Sequence, residues 1–227
     1  MSAAVFLRLA NRAAVAALLV CSTCAAQPNA PVKPNAKAAN SEPAVALPEV
    51  KVDDRWVYRR TDRRLKPPTQ IYEIRVTFVD SRAIVAVVEG QGGTGQSDAT
   101  WTRDWQSAVS PDGGVVEIEK SLLQFPLAPG RQYPAAWEIR RPNFGGFHVR
   151  HERRVTVVGW EDIEVAAGKF RALKIQADGY FKRLDRQAQD EARNTFWYVP
   201  QVKRWVKSVY QDVQLEVVEE LYFYRVQ

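Results

Sequence analysis

Beyond residue 26 the chain contains no cysteine and no methionine, and its only histidines are His148 and His151. The missing thiols remove disulfides, a cysteine nucleophile and thiolate metal sites from that whole stretch, so its core must hold the fold. A Ser-His-Asp arrangement would have to use one of the two histidines, and no nucleophile-elbow sequence accompanies them. Positions three apart on a strand face opposite sides, so this pair is badly placed to chelate one metal, and no metal or other cofactor is expected. Long apolar runs are scarce too. The uncharged stretch Ala13 to Ala26 spans 14 residues, whereas a membrane-crossing helix needs about 20, so no transmembrane span is expected.

That stretch reads instead as a secretory signal over residues 1–26, with Arg8 and Arg12 as its positive flank and Cys24-Ala25-Ala26 as a small-residue cleavage site. Its loss lowers the net charge from +6 to +4. This is too mild a bias to indicate nucleic acid, and export argues against that partner as well. The leading expectation is periplasmic release. The alternative is a lipid-anchored envelope protein acylated at Cys24, although neither Cys24 nor Cys21 has the residues that normally precede a lipidated cysteine.

Residues 27–52 are rich in Ala, Pro and Asn and read as a disordered tether. From residue 53 to 227 the composition turns aromatic and β-branched, enough for a single domain. Tyr72, Ile74, Val76 and Phe78 alternate with polar residues, and 82–89 is a continuous apolar run. Further strand-like runs cover 99–109, 114–119, 137–141, 147–158, 163–165, 170–181, 195–199, 204–211 and 215–224, with Gly- or Pro-containing turns between many of them. Residues 184–193 suit a long hairpin tip or a short helix. The expected fold is all-β: an antiparallel curved sheet, half-barrel, barrel or sandwich of about ten strands.

Several constellations could carry chemistry. Gly90 to Gly95 has the spacing of a dinucleotide-binding loop, but a strand-like run follows where that motif needs a helix, so a hairpin is expected. Acid pairs that could serve a carbohydrate-active hydrolase are Glu117 with Glu119, Asp162 with Glu164, and Glu219 with Glu220; nothing singles one out. The arginine doublets Arg59-Arg60, Arg140-Arg141 and Arg153-Arg154 should split between opposite faces of their strands. Seven tryptophans suit core and rim packing. Phe144 and Phe147 flank a Gly-Gly turn and could form an apolar tip or fold inward as a plug.

The stretch Val165-Ala166-Ala167-Gly168-Lys169-Phe170-Arg171-Ala172-Leu173-Lys174, followed by Trp197-Tyr198-Val199-Pro200-Gln201-Val202-Lys203-Arg204-Trp205-Val206-Lys207, resembles an uncharacterised family of exported bacterial β-sheet proteins. Asp54 to Tyr58 is similar to that family's first strand. The resemblance implies a fold and carries no assigned reaction. More distantly it is similar to lipoprotein-carrier folds, whose curved sheet cups acyl chains, although amphipathic helices for a lid are missing here. The combined expectation is a non-enzymatic cell-envelope protein that binds a hydrophobic ligand, lipid or envelope protein. Phe144, Phe147, Trp101, Trp105 and Trp137 are the candidate contacts. A ligand-free interaction module and a hydrolase are the alternatives.

Overall fold

The computed structural model describes residues 42–62, 64, 66, 68–90, 95–110, 113–141, 145–184 and 188–227. Twelve strands follow one another in chain order: β1 Arg55–Asp62, β2 Thr69–Val79, β3 Ala83–Gly90, β4 Gln96–Thr102, β5 Ser107–Val109, β6 Val115–Lys120, β7 Gln132–Arg141, β8 Phe147–Val165, β9 Gly168–Arg183, β10 Ala188–Val199, β11 Arg204–Asp212 and β12 Glu216–Arg225. Each pairs antiparallel with the next, and β1 also pairs with β12, so the meander closes on itself and leaves no free edge. The sheet is therefore a closed barrel of twelve strands, where about ten and a possibly open sheet were expected.

The difference in count has local causes. The run 99–109 breaks into β4 and β5 because Trp105 adopts a left-handed φ of 65° and turns the chain. The runs 147–158 and 163–165 are one strand, since Gly159 sits at a bulge through which β8 continues. Within 184–193, the described residues from Ala188 onward are the start of β10. The glycine loop joins antiparallel β3 and β4, with Gly90 N donating to Gly95 O at 3.2 Å, and no helix follows it.

Alternation sends one set of side chains inward. Trp56, Tyr58, Ile74, Val76, Ile84, Ala86, Val155, Val157, Leu173, Ile175 and Leu221 are at most 2% exposed and fill the interior. The outer wall carries exposed Arg59, Arg75, Glu117, Arg140, Arg154 and Arg193. A lipid-facing wall would need an apolar band there, each mid-bilayer cation being worth about 2–4 kcal/mol against it, so this barrel is built for water outside. Among the described residues no helix is long and apolar enough to cross a membrane.

One end of the barrel is sealed by chain segments. Residues 42–54 cross it: Val45 and Leu127 exchange backbone hydrogen bonds of 2.8 and 2.9 Å, and Val45 and Val50 are buried. The packed domain thus begins before residue 53, because spaced apolar residues in an Ala/Pro-rich stretch dock on the core. Asp54, fully buried, accepts from Lys51 N (2.9 Å), Gln227 N (2.8 Å) and Lys203 Nζ (2.9 Å), tying the incoming segment, the β10–β11 turn and the C-terminus together. The β8–β9 hairpin reaches the same end. Gly168, at φ 133°, makes its tight turn, and Ala167 N donates to Leu221 O at 3.1 Å.

Candidate functional site

The tryptophans expected on a ligand-binding face lie inside the barrel. Trp101, Trp105 and Trp137 are 8%, 4% and 7% exposed. Closure of the sheet is the reason, because a concave face that curls shut becomes a core. Trp101 and Trp105 join Trp56, Tyr58 and Trp205 around the Arg204 guanidinium, whose carbon is 4.2 to 5.8 Å from the five ring centroids. Three of these rings also clamp the β10–β11 turn. Trp56 Nε1 donates to Val202 O (2.8 Å), Trp105 Nε1 to Lys203 O (2.8 Å) and Tyr58 Oη to Trp205 O (2.7 Å). The motif around Pro200 therefore serves the fold.

Phe147 starts β8 half-buried beneath the guanidinium groups of Arg141 and Arg183, at 5.2 and 4.2 Å from its ring centre. It is packed at this position and does not stand out as an isolated apolar tip. Phe144 and Cys24 lie outside the described residues. Trp137 stacks on His151 at 4.9 Å with an interplanar angle of 10°, and Arg153 Nη2 lies 3.3 Å from His151 Nδ1. Burial, with the charges of Arg153 and Arg141, pushes the imidazole down to about 3. His148 faces outward against Glu138 at 2.7 Å, so the two histidines occupy opposite faces.

The lowered imidazole has a thermodynamic consequence. The native ring stays neutral while the unfolded chain takes up a proton below about pH 6.5. Stability therefore falls as pH drops from about 6.5 toward 3, by at most about 1.4 kcal/mol per unit and less for a ring that keeps some solvent contact. Guanidinium unfolding at pH 6.5 and 4.5 should show a larger loss in the native chain than in His151→Phe. An equal loss in both would contradict this account.

The acid pairs are engaged elsewhere. Glu117 pairs with Arg140 and Glu119 with Arg150; Asp162 pairs with Arg171 and Glu164 with Lys169. Glu219 faces Ser208 and Arg60, whereas Glu220 takes Arg59 and Lys207. Hydrogen bonding to Arg150 holds the Glu119 carboxyl low, and Glu220 is also lowered, its bonds to Arg59 and Lys207 outweighing the burial that opposes them. A glycosidase acid needs the reverse shift.

An open groove of about 1280 Å³ runs over the outer wall from β6 to β11. Register places its lining in two adjacent rows. Ala136, Glu152, Tyr180 and Glu191 lie side by side across β7 to β10, and Pro134, Arg154, Asp178, Arg193 and Gln211 across β7 to β11. Glu152 is held by Arg150, and Asp178 by Arg193. Tyr180 remains 47% exposed, and Arg154 and Glu191 stand without an ion pair among the described residues. The row spacing of about 7 Å and the inter-strand spacing of about 4.8 Å make a strip about 19 Å wide, with an aromatic face and, among the described residues, one charge of each sign outside any ion pair.

Small residues shape the floor. Gly179 pairs with Arg153, and a Cβ there would lie 2.2 Å from Glu152 O. Arg153, 4% exposed, turns inward and donates to the carbonyls of Glu152 (3.0 Å) and Tyr180. Burial lowers its guanidinium below the usual value.

Two solved structures resemble this one over 81% of the chain and 100% of their own length. One, from Bacteroides fragilis, is described as an exported protein with a YmcC-like fold, at 15% identity and a TM-score of 0.50. The other, from Parabacteroides distasonis, is described as a lipoprotein, at 15% identity and a TM-score of 0.52. This chain has the YmcC-like fold. The hypothetical lipoprotein YmcC of Escherichia coli K12 matches at 11% identity and a TM-score of 0.45, over 76% of this chain and 89% of its own. No family model and no curated protein matches the sequence.

Within the YmcC-like barrel, the groove residues are those that sequence reasoning passed over. Arg154, Tyr180 and Glu191 sit on three strands and meet only through register. The one available signal was the Arg153-Arg154 doublet, which splits as alternation requires, Arg153 inward and Arg154 outward.

Proposed function

We propose that this protein is an exported, non-enzymatic envelope protein that acts by binding, and that its partner docks in the outer groove. The observation that carries the reading is the groove itself: open, about 1280 Å³, with Tyr180, Arg154 and Glu191 presented together. Export is supported by the signal-like residues 1–26 and by the exported protein and the lipoprotein that share the fold. Of the three partner classes expected, an envelope protein fits best. The barrel interior is taken up by aromatic side chains and Arg204, which leaves acyl chains no inner sheet face to lie on. Attachment through an acylated Cys24 remains part of this reading as the alternative to release.

A photo-crosslinking residue in place of Tyr180 tests it in intact cells. A discrete adduct is expected at Tyr180, and Arg154→Glu should reduce its yield about tenfold, since charge reversal at an interface commonly costs more than 1 kcal/mol. Both changes are on the outer wall, so the melting temperature should stay within about 2 °C. No adduct at Tyr180, or an adduct indifferent to Arg154→Glu, would remove the groove from the function.

A further inference from the structure

The sealed end of the barrel has a composition of its own. Residues 45–52 cross it with Val45, Pro48 and Val50 turned into the core, which leaves Leu47 (47% exposed) and Val52 (45%) on the outside. Asp53 N donates to Val76 O and Val76 N to Asp54 O, both at 3.0 Å, so the 51–54 turn, closed by Asp54 N donating to Lys51 O at 3.2 Å, sits against the end of β2 that carries Phe78. Phe78 is 53% exposed because the bulge between Val76 and Phe78 turns it out of the core.

Three cations lie on segments at the same end. Lys51 is exposed, 4.0 Å from Glu49. Arg82 is exposed at the β2–β3 turn, and Arg103 reaches the Asp80 carbonyl at 3.1 Å. The nearby Asp80 carboxylate is occupied by two backbone donors, Arg82 N and Ala83 N, both at 2.7 Å. Exposed Glu49 and Asp53 lie on the crossing segment, and exposed Asp162 and Glu164 on the β8–β9 hairpin at the same end, each of these two beside a cation of its own, Arg171 and Lys169.

The described chain also starts here. Glu42 bonds Arg171 on the β8–β9 hairpin at 2.9 Å, so whatever precedes residue 42 leaves from this end. Seventeen residues separate Cys24 from Glu42, a reach of at most about 60 Å. A chain held at its N-terminus, at the uncharged stretch 13–26 or at Cys24, therefore presents this end to the membrane that holds it.

We propose that the sealed end docks on an anionic lipid surface, with Leu47, Val52 and Phe78 entering the headgroup layer and Lys51, Arg82 and Arg103 on lipid phosphates. The inference rests on the envelope address and not on the groove. Small apolar side chains add to basic ones at such a surface, and each basic residue contributes about fivefold in partitioning. Docked this way, the end stays in place with or without an acyl chain.

Because the chain has no cysteine after Cys24, a single reporter is easy to place. In the full chain with Cys21→Ser and Cys24→Ser, an environment-sensitive fluorophore is attached either at Leu47→Cys or at Val213→Cys in the β11–β12 hairpin of the opposite end. Vesicles of phosphatidylcholine with about one third phosphatidylglycerol are then added. Emission at position 47 should rise severalfold and shift to the blue, emission at 213 should not, and Lys51→Ala/Arg82→Ala/Arg103→Ala should weaken partitioning about 100-fold. An equal response at both positions would mean that the N-terminal segment alone brings the chain to the vesicle, and would overturn the proposal. So would no response at 47, or one as strong with pure phosphatidylcholine. A groove that fails its crosslinking test leaves this result untouched.

Discussion

Asp54→Ala should lower stability by about 3–5 kcal/mol, the range found when one partner of a buried ion pair is deleted. For a domain of this size that is a fall of roughly 10 °C or more in melting temperature. The carboxylate is fully buried and receives one ammonium and two backbone N–H groups; its loss strands the two N–H groups and leaves the Lys203 ammonium with Gln227 O alone, at 2.7 Å. Lys203 is only 12% exposed in its side chain, so water cannot readily replace the lost partner. Two comparisons isolate the charge. Asp54→Asn keeps an acceptor for the backbone donors and should lose less. Adding Lys203→Met to Asp54→Ala removes the buried ammonium that has lost its counter-charge and should recover part of the loss. Denaturant unfolding of the native chain and these three variants measures this. A loss under about 1 kcal/mol for Asp54→Ala would show that the knot at the sealed end is dispensable.

Gly179→Ala should be nearly as damaging through backbone contact alone. The added carbon would meet Glu152 O at 2.2 Å and Arg153 Cα at 3.0 Å, and neither is the flexible end of a side chain. The two longest strands must then move apart at the point where Arg153 bonds the carbonyls on both sides of the pairing. Overpacking of this kind costs about 3 kcal/mol or somewhat more, or roughly 6–12 °C in melting temperature. The groove floor lies over the same pairing, so the Tyr180 crosslink should weaken with it. An unchanged melting temperature would mean that β8 and β9 tolerate a wider spacing here than the structure shows.

Much of the strand content was legible because alternation is a local property. Tyr72, Ile74 and Val76 face the interior as their spacing requires, and the Arg153-Arg154 doublet divides between core and wall. The pattern fails where the period shifts. Phe78 continues the alternation on paper, but the bulge after Val76 turns it outward. Gly159 looks like a break and is a bulge inside the longest strand. Trp105 looks like a strand residue and is the left-handed corner that lets its indole reach Lys203. Closure was not legible, because nothing within β1 or β12 announces that Arg59 will meet Glu220 across 161 positions. The groove was invisible for the same reason: its two rows are read across strands.

The clamps around the β10–β11 turn also bear on when this chain can fold. Trp56 and Tyr58 reach partners 146 and 147 positions away, and β1 finds its second neighbour only in β12. Bringing such distant segments together carries a large loop-closure entropy that local contacts cannot offset in advance. A chain delivered N-terminus first would hold an unmatched first strand and an unanchored Asp54 until its last residues arrive. If the chain is exported as proposed, it stays threadable through a translocation channel for almost its whole length, and its barrel closes only once β12 has arrived beside β1.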